Sequence, residues 1–130
     1  MPLRLLIADD HEIVRVGVRT LLKVKCDWEI CGDAENGREA IAKVRGLSPD
    51  VVILDLSMPV MNGFEAAKEI RRIAPSTKII FYTVHNVPST AGEVGGDACV
   101  SKSTPVEELI ATIERVTGQS QGIRTRSKYS

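Results

Sequence analysis

Short apolar runs alternate along the chain with segments whose apolar residues recur at helical spacing. The run that constrains the fold most is Val51 to Leu54, four consecutive apolar residues rich in β-branched side chains. Because successive side chains of a strand point to opposite faces, both faces of this strand must be buried. A strand buried on both faces is typical of a central position in a parallel sheet. The run therefore predicts an α/β fold.

The rest of the chain continues the same alternation. We predict further strands over 3–8, 28–34, 78–82 and 98–101, and helices over about 10–22, 38–47, 64–74 and 104–117. The last helix has the clearest start, because Thr104 suits the N-cap, Pro105 suits the first helical position and Glu107 completes a capping box. Five strands alternating with helices predict a parallel sheet covered on both faces. In such a sheet, binding sites form at the carboxyl ends of the strands.

Five side chains suited to phosphoryl chemistry fall at these predicted strand ends: Asp9, Asp10, Asp55, Thr83 and Lys102. Crowded carboxylates raise each other's pKa or require a cation. Mg²⁺ prefers oxygen ligands and therefore suits the three aspartates. Asp55 is then the candidate nucleophile for an aspartyl-phosphate, with Lys102 and Thr83 contacting phosphoryl oxygens. The alternative for Asp9 and Asp10 is that they cap the first helix, where Asp is favoured.

At these residues the chain resembles the receiver domain of bacterial two-component response regulators. The resemblance covers about residues 3–117, and its motif pieces are Ile7–His11, Asp55–Gly63, Thr83 and Lys102. The segment Ala8–Arg15 is most similar to the NarL-type subfamily. The resemblance implies a doubly wound, flavodoxin-like sheet with strand order 2-1-3-4-5. It also implies phosphotransfer from a sensor histidine kinase to Asp55, and transcriptional control through a DNA-binding domain that this chain does not contain.

The resemblance further implies how the site residues divide their roles. Asp10, Asp55 and the backbone carbonyl of Ser57 are expected to bind Mg²⁺ directly, and Asp9 through water. Thr83 and Lys102 are expected to contact the phosphoryl group. Such a domain is a switch that promotes its own phosphotransfer and dephosphorylation rather than a turnover enzyme. His11 is interpreted as a loop or helix-start residue and not as a ligand.

Two departures from the family pattern bear on signalling. Cys99 occupies the position, three residues before Lys102, where the family usually has Tyr or Phe. Only 18 residues separate Thr83 from Lys102, and they include Pro88 and three glycines, which are poor in helix interiors. We therefore predict a short, irregular or mobile fourth helix between the fourth and fifth strands. These departures motivate an alternative function, a protein-interaction domain that works without phosphorylation.

A flavin-binding electron carrier is a further alternative on this fold, but it requires a phosphate loop rich in Gly and hydroxyl groups after the first strand. The acidic segment Ala8–Glu12 stands there instead. An aspartyl-phosphatase usually has a second Asp two residues after its nucleophile, where this chain has Ser57. Both alternatives are therefore disfavoured.

Composition adds limits on location and domain organisation. Acidic and basic residues number 17 each, but the last twelve residues hold three basic residues and no acidic one. Residues 1–118 are therefore left with 14 basic against 17 acidic residues, a net charge of −3. We predict a receiver domain over 1–118 and a tail over 119–130 that is an interdomain linker, a disordered end or a remnant of cloning. No run approaches the roughly 18 apolar residues of a membrane span, and we expect a cytoplasmic protein. A homodimer is compatible with the resemblance, and no residue decides it.

Overall fold

Five parallel strands form one sheet in the order β2-β1-β3-β4-β5, as the resemblance implied. The structure is a computed structural model and describes residues 2–84 and 95–119. The elements follow one another along the chain as β1 (Arg4–Ala8), α1 (Glu12–Lys25), β2 (Glu29–Ala34), α2 (Gly37–Leu47), β3 (Val51–Leu54), α3 (Gly63–Ile73), β4 (Lys78–Thr83), β5 (Ala98–Ser101) and α4 (Val106–Thr117). The predicted helix between β4 and β5 lies almost entirely outside the described residues.

Two hydrophobic cores fill the space on the two faces of the sheet. Successive residues of β1 alternate between them, since Leu5 joins the core with α1 and α4 and Leu6 joins the core with α2 and α3. All four residues of β3 are buried. The prediction that Val51 to Leu54 forms a central strand buried on both faces is confirmed. No helix within residues 2–84 and 95–119 has the length and apolar character that crossing a membrane requires.

Two local predictions about the helices are wrong. Thr104 does not cap α4, because its hydroxyl donates to the carbonyl of Ser101 at 2.7 Å. The N-cap residue is Pro105, which makes no side-chain cap hydrogen bond. The spacing of Val14, Gly17, Val18, Leu21 and Leu22 predicts that all five lie on the inner face of the first helix. Leu21 is instead 42% exposed, because the buried face runs through Arg15, Val18 and Leu22.

Candidate functional site

The candidate site lies where β1 and β3 end side by side. Ala8 and Leu54, the last residues of the two strands, are paired in register. The pairing continues for one more residue, since the amide of Asp55 donates to the carbonyl of Ala8 at 2.9 Å. The residues that follow the two strands, Asp9 and Asp55, therefore start from adjacent points on the same edge of the sheet.

Three carboxylates and one imidazole meet at this edge. Ligand atoms of Asp9, Asp10, His11 and Asp55 all lie within 4.8 Å of one another, and we call these four residues the acidic cluster. Nδ1 of His11 is 3.3 Å from Oδ1 of Asp9 and 3.1 Å from Oδ1 of Asp10. The predicted convergence of the three carboxylates is confirmed. His11 is the N-cap of α1, which confirms its interpretation as a helix-start residue, but the sequence did not predict that its ring would lie against both neighbouring aspartates.

Lys102 brings a positive charge to the acidic cluster from the end of β5. Its ammonium contacts Oδ2 of Asp9 and lies 3.5 Å from Oδ2 of Asp55. Only 12% of the Lys102 side chain is exposed, so water screens these contacts little. The amide of Lys102 donates to the carbonyl of Thr83 at 2.8 Å, and this bond joins the ends of β4 and β5. Thr83 itself is fully buried.

The electrostatic environment opposes ionisation of Asp55. Burial raises the pKa of the Asp55 carboxyl, and the negative charge of Asp9 raises it further. Lys102 lowers the same pKa, as does the backbone amide of Ser57, but these contributions do not cancel the increase. One lysine therefore does not balance the carboxylates, and a further positive charge would stabilise their ionised forms.

The residues present fit a divalent cation. Oδ1 of Asp10 is buried and accepts no hydrogen bond, although Nδ1 of His11 lies near it. The alternative role for Asp10, as a helix cap, is not seen, because α1 begins after His11 without any side-chain cap. Carboxylate oxygens are the ligands that Mg²⁺ prefers. An unsatisfied carboxylate oxygen among other carboxylates is what a cation site without its ion leaves behind.

A cavity of about 320 Å³ borders Asp55 and gives it access to a reactant. Asp55, Ser57 and Lys102 line it together with His11, Ile13, Val14 and Val84. Ile13 and Val84 are 82% and 69% exposed, so apolar side chains stand at its rim. Ser57 is exposed, and its amide lies 3.5 Å from Oδ1 of Asp55. Asp55 therefore borders an opening at the end of β3, with 5% of its side chain exposed.

The loop from Asp55 to Asn62 is held tightly against its surroundings. A Cβ atom on Gly63 would lie 2.2 Å from the carbonyl oxygen of Asp55, so only glycine fits there. The amide of Gly63 donates to the carbonyl of Leu56 at 3.0 Å. Asn62 caps α3 through a capping box with Glu65. The start of α3 therefore fixes the path of the chain immediately after Asp55.

Arg15 is a second residue that the sequence reading missed. Its guanidinium is buried and donates to the main-chain oxygen of Asp9 at 2.6 Å. The available signal was its helical spacing, since Arg15, Val18 and Leu22 fall at i, i+3 and i+7 on the buried face of α1. Cys99 is half-buried beside the core that contains Phe81. His85, two residues after Thr83, is a position that the family resemblance implies borders the route of attacking water, and it lies outside the described residues.

Comparison with known proteins places this geometry in a family. Residues 5–114 match the family model of the response regulator receiver domain. The chain is 31% identical to response regulator protein VraR of Staphylococcus saprophyticus over 118 residues. This match covers 88% of this chain and 56% of VraR. It therefore spans little more than half the length of this relative.

Solved structures give the same result. A two-component response regulator of the LuxR family from Aurantimonas superposes with a TM-score of 0.84 at 31% identity, over 93% of this chain and 89% of that one. A DNA-binding response regulator of the LuxR family from Staphylococcus aureus superposes with a TM-score of 0.81 at 37% identity, over 88% and 98% of the two chains.

Proposed function

Since the chain belongs to the response regulator receiver domains, in their NarL-type branch, we propose that Asp55 is the residue that accepts the phosphoryl group. The observation that carries this proposal is the placement of the Asp55 carboxylate. It stands between Asp9 and Lys102, next to a cavity, at the carboxyl end of a central strand. Of the carboxylates in the acidic cluster, only Asp55 lines that cavity.

The proposed reaction moves one phosphoryl group. An oxygen of the ionised Asp55 carboxylate forms a bond to phosphorus, while the bond from phosphorus to the imidazole nitrogen of a phosphohistidine breaks. The leaving imidazole keeps the electron pair and takes a proton from solvent. The product is an acyl phosphate on Asp55 and a neutral histidine on the donor.

Lys102 and Thr83 are proposed to hold the transferred group. The Lys102 ammonium already lies 3.5 Å from Oδ2 of Asp55, where it can balance charge on a phosphoryl oxygen. Thr83, at the end of the neighbouring strand β4, supplies a hydroxyl for a second oxygen. Moving the Thr83 hydroxyl toward the phosphoryl group is the step by which phosphorylation reaches the rest of the domain.

We infer that Mg²⁺ is the cation of this site. Asp10 and Asp55 would hold it directly together with the backbone carbonyl of Ser57, and Asp9 would hold it through water. The bound ion would supply positive charge to balance the carboxylates and the incoming phosphoryl oxygens. His11 borders the same space.

The wider role of the domain is proposed from the similar proteins, which are response regulators and include a DNA-binding one. A sensor histidine kinase is the phosphoryl donor, and the output is transcriptional, through an attached or removed DNA-binding domain. Residues 1–118 are the receiver unit in this proposal, and residues 119–130 are a linker or tail. The domain acts in the cytoplasm as a switch, alone or as a homodimer.

Intact-mass spectrometry after incubation with acetyl phosphate and Mg²⁺ tests the proposal. The wild-type chain is expected to gain the mass of one phosphoryl group, and Asp55→Asn is expected to gain none. Asp50→Asn is the matched control, because Asp50 precedes the other end of β3 and is expected to leave the gain intact. Unchanged phosphorylation of Asp55→Asn would assign the acceptor role to another residue.

A further inference from the structure

Arg15 places a buried positive charge beside the acidic cluster, and the phosphoryl chemistry above does not use it. Only 9% of its side chain is exposed. A buried charge costs several kcal/mol unless it is paired and hydrogen-bonded. Its Nε donates to Oδ2 of Asp33 at 3.2 Å, and its Nη2 lies 4.0 Å from Oε1 of Glu35. These two acidic residues belong to the end of β2 and to the turn after it, so Arg15 ties α1 to the edge of the sheet.

The third contact of Arg15 reaches the acidic cluster itself. Nη1 donates to the main-chain oxygen of Asp9 at 2.6 Å. That oxygen belongs to the peptide group that joins Asp9 to Asp10. On the other side of Asp9, its amide donates to the carbonyl of Ala34 at 2.9 Å. The backbone at Asp9 is therefore held by β2 through its amide and by Arg15 through its carbonyl.

The carboxylate of Asp10 is held less firmly than that of Asp9. Its Oδ1 accepts no hydrogen bond and has Nδ1 of His11 3.1 Å away, whereas Oδ1 of Asp9 accepts a hydrogen bond from the amide of His11 at 2.9 Å. The peptide group before Asp10 orients its Cα–Cβ bond and so contributes to the direction of its carboxylate. Arg15 donates the side-chain hydrogen bond that fixes the oxygen of that peptide group.

We propose that Arg15 is a positioning residue for the cation site, acting through the Asp9 carbonyl to aim the carboxylate of Asp10. This inference rests on the proposed function, because it assumes that the acidic cluster binds Mg²⁺. Residues that orient metal ligands in this way contribute about 10- to 100-fold to metal affinity. Arg15 itself contacts neither the cation nor the phosphoryl group.

The charge of Arg15 and its positioning role predict opposite effects of its removal. A nearby positive charge repels a cation, so charge loss alone would strengthen Mg²⁺ binding. Loss of the hold on the Asp9 carbonyl would weaken it. Arg19 offers a matched control, because its Nη2 donates to the same Oδ2 of Asp33 at 2.6 Å rather than to Asp9.

Calorimetric titration with Mg²⁺ compares the wild type with Arg15→Met and Arg19→Met, at a temperature where thermal melts show each variant folded. We expect Arg15→Met to bind Mg²⁺ about tenfold more weakly or worse, and Arg19→Met to stay within about twofold of the wild type. Arg15→Lys keeps the positive charge but replaces the planar guanidinium, which donates from several nitrogens, with a single ammonium group. We expect it to recover part of the lost affinity and to stand between wild type and Arg15→Met.

Each result bears on one claim. A wild-type chain that fails to bind Mg²⁺ overturns the proposed cation site as a whole. A wild-type chain that binds, with Arg15→Met equal to or tighter than Arg19→Met, overturns the positioning role and leaves the cation site standing. If Arg15→Met does not fold, Arg15→Lys decides, and Mg²⁺ affinity equal to that of the wild type overturns the inference.

Discussion

Val60 adopts a backbone conformation that a β-branched residue resists, and replacing it with glycine should stabilise the protein. Its φ is +69°, and the amide of Met61 donates to the carbonyl of Pro59 at 2.7 Å. A hydrogen bond that spans one residue, with positive φ at that residue, defines a strained γ-turn. The turn persists because its neighbours hold it, including the amide of Gly37, which donates to the Met61 carbonyl at 3.0 Å.

The size of the effect follows from three opposing contributions. A non-glycine residue in the left-handed region costs about 1–2 kcal/mol, and glycine removes that cost. Glycine also loses more chain entropy on folding, about 0.5–1 kcal/mol. Little side-chain burial is lost, because Val60 is 71% exposed. The free energy of unfolding of Val60→Gly should therefore rise by roughly 0.5–1 kcal/mol, which raises the melting temperature by about 2–6 °C.

Urea denaturation, followed by the fluorescence of the buried Trp28, measures this difference. Val24→Gly is the matched control, since Val24 is similarly exposed at 66% but lies within α1. There the same substitution should destabilise the protein by roughly 0.3–0.5 kcal/mol, the difference in helix propensity between Val and Gly. Val60→Ala removes most of the side chain and keeps a residue that resists positive φ, so it should gain less than Val60→Gly. A destabilised Val60→Gly would show that the turn is not strained.

Three further perturbations test the loop and the charges around Asp55. Gly63→Ala should destabilise the protein by roughly 2–4 kcal/mol in urea denaturation, because its Cβ would lie 2.2 Å from the Asp55 carbonyl oxygen. Gly17→Ala is the control. A Cβ added there has no atom within 4 Å, so this substitution should stabilise the protein. The pKa of Asp55 is raised in the folded state, so its ionisation favours unfolding. With a chelator present, the wild type should therefore lose stability relative to Asp55→Asn as pH rises from about 4 through the raised pKa; a pH-independent difference would contradict this. Lys102→Met should cost about 3 kcal/mol without Mg²⁺, because it leaves Asp9 buried without its cationic partner. Mg²⁺ should restore part of that loss, and no recovery would count against a cation at the acidic cluster.

The sheet was predictable because its strands are short runs of apolar residues, which must be buried. Four apolar residues from Val51 to Leu54 leave no polar face, and the structure buries all of them. The carboxyl ends of parallel strands share one edge of a sheet, so Asp9 and Asp55 could be placed together before any coordinates. The strand order came from the family resemblance and is confirmed.

The features that could not be predicted are contacts of polar side chains, because the partner of each side chain is known only once the chain is folded. Thr104 is a good N-cap residue, but α4 has Pro105 as its N-cap, and the Thr104 hydroxyl donates to the carbonyl of Ser101 instead. The role of His11 depends on the turn that directs its ring toward Asp9 and Asp10. Arg15 is compatible with a helix surface until Asp33 and the Asp9 carbonyl are known to lie within its reach. Of the three, only Arg15 leaves a periodic signal, its helical spacing with Val18 and Leu22, and that spacing does not identify its partners.

The most direct test of the account is the dependence of phosphoryl incorporation at residue 55 on a divalent cation. Peptide mass spectrometry after acetyl phosphate treatment would compare excess Mg²⁺ with a chelator, for the wild type and for Asp10→Asn. We expect a phosphoryl group on Asp55 of the wild type with Mg²⁺, a large loss with the chelator, and a comparable loss in Asp10→Asn at limiting Mg²⁺. Equal incorporation under all of these conditions would contradict the claim that the clustered carboxylates work by holding a cation.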